Sequence, residues 1–355
     1  MIRLAWPDLG PEEVAAVAEV FESGQLTMGR RVEEFEHELA AACEVEHAVV
    51  VSSGTAALHL SVLALGIGPG DEVVVPAYTF PATANVVALA GARPVLADVD
   101  PETMNVTPET VAAAVTERTK AVLVVHLFGR PAPWEELEAA VPSRVALLED
   151  AAGALGARRR GRACGGLGRL GCLSFHPRKI VTTGEGGAVT TNDPEIADAI
   201  RRFRHHGIEP RGDFEIRSPG LNYRLPDILC AIGTTQMRRL ERLLEERERL
   251  AAGYAERLGD AVGLPSADEG DRHGLQAYIV RIDRRDEALE VLAEAGIQAQ
   301  IGTYALHRLA AYGDQGSFPG ADVAFERALA LPFHNRLSED DLDRIAEVLT
   351  RVVSE

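Results

Sequence analysis

Lysine is almost absent from this chain of 355 residues. Lysine and arginine together number 36, yet Lys120 and Lys179 are the only lysines in the sequence. Wherever a positive charge alone is needed, the chain uses arginine. A lysine that is kept indicates either chance retention on the surface or a position where arginine fails, because only an amine can lose its proton and attack a carbonyl group.

The two lysines have different surroundings. Lys120 directly precedes the apolar run 121–125, and we interpret it as a surface residue without a special role. Lys179 lies between Ser174 and the glycine-rich segment 184–187. Because glycines let a backbone approach a ligand closely, this segment is typical of a site where Lys179 forms a Schiff base while Ser174 binds a phosphate.

Cysteines and long apolar runs are also scarce. The four cysteines show neither a CxxC nor a zinc pattern, which favours free, mostly buried thiols in a reducing compartment. No apolar run is long enough to cross a bilayer, and the first residues lack the apolar core of a signal peptide. We therefore predict a cytoplasmic protein without a membrane partner.

The formal net charge is -18. An acidic chain without a long basic run does not attract nucleic acid, so we expect no nucleic-acid partner. We predict no metal site either. The densest basic stretch, 158–162, is short and contains glycine, and we interpret it as an exposed turn.

Apolar strand patterns alternate with helical patterns through the first half of the chain. This alternation predicts an α/β fold with a mostly parallel central sheet covered by helices. The chain is too long for one small core, so we predict a large domain at 1–240 and a small C-terminal α+β domain at 241–355. A charged helical pattern at 226–258 predicts a long connecting helix that is broken once. Strands are expected at 48–51, 72–75, 94–97, 121–126, 145–148, 172–175, 188–191 and 277–282.

Polar groups follow several of these strands, where ligands bind in parallel sheets. Asp150 follows an apolar strand, and its carboxylate needs a partner such as a cofactor's pyridinium nitrogen, a buried arginine or a helix N-terminus. The segment 53–55 fits either an anion site or simple helix capping. Phe80 would stack on a planar ring or fill the core. The GxGxxG match at 166–171 leads into a strand, so we reject it as a dinucleotide site.

Eight segments, read in order, resemble those of the DegT/StrS sugar aminotransferases, a family of pyridoxal 5'-phosphate (PLP) enzymes. The resemblance covers almost the whole chain, and the lysine segment with GEGG is quite specific. It implies a PLP-transferase fold of type I, PLP as cofactor, and a homodimer with its sites at the subunit interface. The segments are SSGTAAL, PAYTFPATAN, VVHLFG, EDAA, SFHPRKIVTTGEGG, RHHG, LNYRLPD and YALH.

The resemblance also implies residue roles. Lys179 would carry PLP and shuttle a proton, Asp150 would pair with the pyridine nitrogen, and Phe80 would stack on the ring. Asn222 would reach the phosphate in the neighbouring subunit. The remaining phosphate contacts would be Gly54, Thr55 and Ser174, and the substrate contacts would be Arg224, Tyr304 and His307.

One position departs from the family. The third residue after Asp150, where the family often has glutamine or histidine near the cofactor's ring hydroxyl, is Gly153. The resemblance therefore leaves the partner of that hydroxyl open, and another group or water must satisfy it.

We predict transamination from glutamate or glutamine to a keto sugar linked to a nucleotide. Amination of a cyclitol ketone, and a cyclising synthase that makes an aromatic amine, use the same catalytic residues and stay open. A sugar dehydratase of this family typically has histidine in place of the lysine, so Lys179 argues against it. A non-catalytic regulator is disfavoured because Lys179, Asp150 and Ser174 are all present.

Overall fold

The structure is a computed structural model that describes residues 1–209, 214–313 and 315–354. In chain order, its strands are β1 (His47–Val51), β2 (Glu72–Pro76), β3 (Tyr78–Thr79), β4 (Arg93–Ala97), β5 (Thr119–Val125), β6 (Ala146–Asp150), β7 (Arg158–Arg159), β8 (Arg162–Ala163), β9 (Leu170–Ser174), β10 (Gly187–Thr191), β11 (Tyr278–Arg281), β12 (Gln300–Ile301), β13 (Tyr304–Ala305) and β14 (Ala328–Leu331).

Helices connect most of these strands. They are α1 (Pro11–Ser23), α2 (Arg30–Ala42), α3 (Gly54–Ala64), α4 (Ala82–Leu89), α5 (Pro108–Ala114), α6 (Trp134–Ala140), α7 (Pro194–Arg204), α8 (Asp227–Met237), α9 (Leu240–Leu258), α10 (Arg285–Glu294), α11 (Pro319–Arg327) and α12 (Glu339–Ser354). None of the helices in the described ranges is long and apolar enough to span a membrane.

A seven-stranded sheet has the order β1-β10-β9-β6-β5-β2-β4. Strands β9, β6, β5, β2 and β4 pair in parallel, whereas β10 is antiparallel to both of its neighbours. Strands β2 and β10 are buried at every residue, as expected where helices cover both faces of a sheet. The predicted mostly parallel sheet is therefore confirmed.

A second buried cluster surrounds the three-stranded sheet β11-β14-β12. Tyr254 of α9 stacks on Tyr278 with ring centroids 4.6 Å apart, and its hydroxyl donates to the Pro332 carbonyl at 2.7 Å. Ile2 joins this cluster because its backbone pairs with the strand-like segment at Ile297. The N-terminal residues thus pack against the C-terminal part of the chain, and the division into domains at 1–240 and 241–355 stays a prediction.

The connection between the two clusters follows the predicted pattern. The helical segment at 226–258 is broken once, between α8 and α9. Strand β14, the central strand of the small sheet, was not predicted. Its run of alanine and leucine is short and follows α11 directly, so periodicity alone does not distinguish it from a continued helix.

The basic stretch at 158–162 forms an exposed turn between β7 and β8, as expected, but Arg159 within it is buried. The Arg159 side chain is 2% exposed, because acidic residues that are distant in sequence surround its guanidinium group. The charge pattern of the stretch itself does not reveal these partners. They are Glu135 at 3.1 Å, Glu136 at 2.9 Å, Asp268 at 3.0 Å and Asp271 at 2.9 Å.

We predict that Arg159→Ala lowers the free energy of unfolding by about 2 kcal/mol, because the buried Asp271 carboxylate loses its cation. Water screens the other three carboxylates, which keeps the loss moderate. Arg160→Ala is the matched control, since its side chain is 52% exposed; its loss should stay below about 1 kcal/mol. Denaturant titration of both variants measures the difference, and equal losses would contradict the assignment.

Candidate active site

The carboxyl ends of β1, β6 and β9 border one cavity of about 540 Å³. This volume is typical of sites for small molecules, and the position is where open α/β sheets bind ligands. Residues of the second buried cluster, including Leu331 and Phe333, also line the cavity. The predicted residues that line the cavity are Gly54, Thr55, Phe80, Asp150, Ser174 and Lys179.

Lys179 lies in the cavity wall, in the turn after β9. Its backbone N–H donates to the His176 carbonyl at 2.8 Å, which fixes the turn. Burial lowers the pKa of the Lys179 amine, Asp150 opposes this by favouring the charged form, and Arg178 lowers the pKa further. Within the described ranges, Nζ makes no hydrogen bond or ion pair. The amine therefore loses its proton more readily than an ordinary lysine.

Asp150 is the last residue of β6 and is 6% exposed. Its Oδ2 accepts a hydrogen bond from Thr83 Oγ1 at 2.8 Å, and its Oδ1 accepts one from the Ala152 N–H at 3.2 Å. Burial raises the pKa of this carboxyl group, although both hydrogen bonds and the charge of Lys179 act against the rise. In the described part of the chain, neither an arginine nor a helix N-terminus holds the carboxylate. It can therefore still pair with a cationic ligand in the cavity.

The N-terminus of α3 meets the end of β9 at the cavity. Ser53 Oγ accepts the Ala56 N–H at 3.0 Å, so the capping interpretation is confirmed for Ser53. Gly54 and Thr55 follow as the first residues of the helix. A Cβ at position 54 would lie only 2.8 Å from the Cβ of Ser174, so glycine permits the close approach. Backbone N–H groups and hydroxyls thus converge on one region, which favours an anion.

Phe80 lines the cavity and does not fill the core, since it is 61% exposed. Strand β13 pairs with β3 and brings Tyr304 beside it. The two rings meet edge to face, with centroids 6.3 Å apart. An exposed aromatic ring at a cavity wall can stack on a planar ligand.

Other predicted residues lie outside the cavity wall of their own chain. Asn222 is exposed and pairs through its backbone with His205. Arg224 Nη1 lies 2.6 Å from the Nδ1 atom of the same histidine. His307 Nε2 lies 2.9 Å from the Asp322 carboxylate. The structure does not bring these three residues to Lys179 within one chain, and their roles stay predictions.

A buried carboxylate beside Asp150 was not predicted from the sequence. Glu149 is fully buried, and the GxGxxG-like segment that we rejected as a dinucleotide site wraps around it. His126, another cavity residue, contacts it through Nε2 at 3.0 Å. The backbone N–H groups that donate to Glu149 belong to Gly165 at 2.6 Å, Leu167 at 2.7 Å and Gly168 at 2.8 Å.

His126, Glu149 and Cys164 also lie close enough together to be considered as metal ligands, with their ligand atoms within 4.8 Å of one another. Both carboxylate oxygens of Glu149 already accept N–H groups, and His126 Nδ1 accepts the Ala132 N–H at 2.9 Å. We therefore interpret the cluster as support for the end of β6. Thr83 was missed as well, because its partner is distant in sequence and no local pattern marks it.

Comparisons with known proteins agree with this geometry. The sequence profile of the DegT/DnrJ/EryC1/StrS aminotransferase family matches residues 7–350. GDP-perosamine synthase of Caulobacter vibrioides is 38% identical, over 99% of this chain and 98% of its own. The aminotransferase TlmJ from Streptoalloteichus hindustanus is also 38% identical and superimposes with a TM-score of 0.96, covering 100% of this chain and 99% of its own.

The PMP form of the protein Spr1654 from Streptococcus pneumoniae is 28% identical, again with a TM-score of 0.96, over 100% of this chain and 99% of its own. These structural similarities confirm the predicted PLP-transferase fold. The family match spans nearly the whole chain and includes every strand that borders the cavity. This protein therefore belongs to the DegT/DnrJ/EryC1/StrS aminotransferase family and is a PLP-dependent aminotransferase.

Proposed function

We propose that this protein transfers an amino group from glutamate or glutamine to the ketone of a nucleotide-linked sugar, with Lys179 as its catalytic amine. The observation that carries the proposal is that one cavity contains both the buried Asp150 carboxylate and the Lys179 amine, which has no partner among the residues that the structure describes. The acceptor class is supported by the similar Caulobacter protein, whose name specifies a GDP-linked product.

The cavity residues fit PLP in charge and in shape. A buried carboxylate at Asp150 suits the pyridine nitrogen, and the converging donors at Gly54 and Ser174 suit the phosphate. The exposed ring of Phe80 suits a planar aromatic ligand. When bound, PLP withdraws electrons from the substrate carbon that bears the amino group.

Lys179 Nζ has two tasks in this proposal. It would hold the cofactor covalently, and as a free amine it would take up and return the substrate proton. Both tasks require a neutral amine, and the lowered pKa of Lys179 increases the neutral fraction near neutral pH. Arginine cannot serve here because it does not lose its proton.

Asp150 holds the cofactor's nitrogen in its protonated form. Burial raises the pKa of the free carboxyl group and so favours its neutral form. A cationic partner in the cavity would stabilise the ionised form instead. The hydrogen bonds from Thr83 and Ala152 orient both carboxylate oxygens before any ligand binds. Thr83 is therefore a positioning residue that acts through Asp150.

The phosphate is bound mostly by neutral donors of this chain. Arg178 and Lys179 are the arginine and lysine residues in the described cavity wall, and Lys179 has another task. Gly54, Thr55 and Ser174 supply N–H and hydroxyl groups instead. This arrangement leaves a place for a polar group from outside the chain.

We propose that a second subunit supplies that group, through Asn222. The side chain is exposed and lies outside the cavity of its own chain. On the segment that precedes it, Phe214 and Ile216 are 79% and 62% exposed. Large exposed apolar side chains are typical of surfaces that bind another protein. A homodimer with sites at its interface accounts for both observations.

The substrate contacts follow from the same arrangement. Tyr304 contacts Phe80 at the edge of the cavity, where we propose that it meets the sugar. Arg224 shares the segment of Asn222, so we propose that it acts in the partner's site. His307 lies beyond Tyr304 and would act through the segment that joins them. We also infer a cytoplasmic location, supported by the buried free thiols of Cys43, Cys164, Cys172 and Cys230.

We predict that borohydride reduction of the PLP-loaded protein attaches the cofactor to Lys179, as measured by peptide mass spectrometry. Lys179→Ala should abolish the label and lower amino transfer at least about 10³-fold, because the proton acceptor is lost. Lys120→Ala is the control, since Lys120 is the other lysine of the sequence and its side chain is 59% exposed. A label that persists in Lys179→Ala would contradict the assignment.

We predict that inactive variants of two different residues complement each other in mixed dimers. In a dimer of one Lys179→Ala subunit and one Asn222→Ala subunit, one site would contain Lys179 together with Asn222 from the partner. Co-refolding should therefore restore about a quarter of the wild-type activity under statistical mixing, since half of the dimers are mixed and each has one intact site. If Asn222 acts in its own chain, the mixture will stay as inactive as its components.

A further inference from the structure

The side chain of Gln276 packs against Gly153 in the wall of the cavity. Gly153 lines the cavity without a side chain, three residues after the Asp150 carboxylate. A Cβ at position 153 would lie 3.4 Å from both Cβ and Oε1 of Gln276. The side chain of Gln276, from a distant part of the sequence, thus lies in contact with the position that a Cβ at 153 would take.

The backbone of Gln276 is fixed on both sides. Its N–H donates to the Phe128 carbonyl at 3.0 Å, and its carbonyl accepts from Arg247 Nη1 at 3.2 Å. The neighbouring glycine positions bring these segments together, since a Cβ at Gly129 would lie 2.9 Å from the Gly153 carbonyl oxygen. The position of Gln276 is therefore set by the packing of three segments.

The side-chain amide is oriented as well. Gln276 Nε2 donates to the carbonyl of Arg178 at 3.0 Å. Because a carbonyl only accepts hydrogen bonds, the nitrogen must face Arg178, directly before Lys179 in the chain. The second N–H and Oε1 make no hydrogen bond within the described ranges. Gln276 also lines the cavity, so these groups can contact a ligand.

The substituents of PLP limit which part of the ligand this amide can meet. The ring hydroxyl lies next to the carbon that reacts with the lysine, on the side away from the phosphate arm. In the proposed arrangement, Asp150 would pair with the ring nitrogen and Lys179 would bind the reactive carbon. The end of β9 would bind the phosphate. With the ring held in this way, its remaining polar side would face the wall that Gly153 and Gln276 form.

We propose that the Gln276 amide is the hydrogen-bond partner of the ring hydroxyl oxygen, in place of a side chain at position 153. This inference rests on the function proposed above. Gln276 positions the cofactor, and its free N–H stabilises the deprotonated oxygen of the ring. Without such a donor, that oxygen stabilises the protonated nitrogen of the Schiff base between Lys179 and PLP. A hydrogen bond from Gln276 to the oxygen weakens this stabilisation, so the Schiff-base nitrogen loses its proton more easily.

The test uses the absorption spectrum and cofactor binding of the purified protein. In Gln276→Ala, the pH at which half of the Schiff-base nitrogen is deprotonated, followed through the visible absorption band, should rise by about one unit. The reason is that a hydrogen-bond donor to the ring oxygen is lost. The dissociation constant of PLP, titrated into the cofactor-free protein, should rise about tenfold for the loss of one hydrogen bond to a charged group. An unchanged midpoint with unchanged binding would overturn the proposal.

A rescue experiment separates hydrogen bonding from packing. Adding Gly153→Gln to Gln276→Ala returns an amide to the same wall and should restore the midpoint and the binding. The matched control adds Gly153→Ala, which fills space without a polar group and should restore neither. Equal rescue by both would overturn the proposal. If the wild-type protein itself shows no band dependent on Lys179, the proposed function fails, and this inference fails with it.

Discussion

A buried carboxylate and a buried amine share one cavity, and the function of this protein depends on keeping both reactive. Burial raises the pKa of Asp150 and lowers that of Lys179, so each side chain is pushed toward its neutral form. The charge of each residue opposes the shift of the other. A cationic ring nitrogen would stabilise Asp150 as the anion and leave Lys179 free to act as a neutral amine.

The fold supplies this arrangement through close approaches of the backbone. Gly54 allows α3 to meet Ser174, and Gly129 allows two distant segments to meet Gly153. Beneath them, Glu149 accepts backbone N–H groups and anchors the loop before β9. The cavity is thus surrounded by segments whose positions hydrogen bonds and packing have already fixed, so little rearrangement is needed when a ligand binds.

Sequence patterns identified the features that are local. Nearly continuous apolar strands revealed the sheet, and the rarity of lysine directed attention to Lys179. Phe80 was left with two interpretations, and its exposure decides against the core. These features were predictable because each depends on a short stretch of chain.

Features that join distant segments could not be read in this way. Thr83 and Gln276 reach the site from elsewhere in the sequence, and the carboxylates around Arg159 come from two separate regions. Strand β14 was missed because its composition fits a helix equally well. The role predicted for Asn222 concerns a second subunit, so the structure of one chain does not test it.

The most direct test of the central claim is the visible absorption spectrum of the purified protein through both halves of the reaction. We predict a yellow band that bleaches when glutamate or glutamine is added and returns when a nucleotide-linked keto sugar follows. A band that responds to neither donor would contradict transamination. The absence of any band after incubation with PLP would contradict the assignment of Lys179 and Asp150 as the cofactor site.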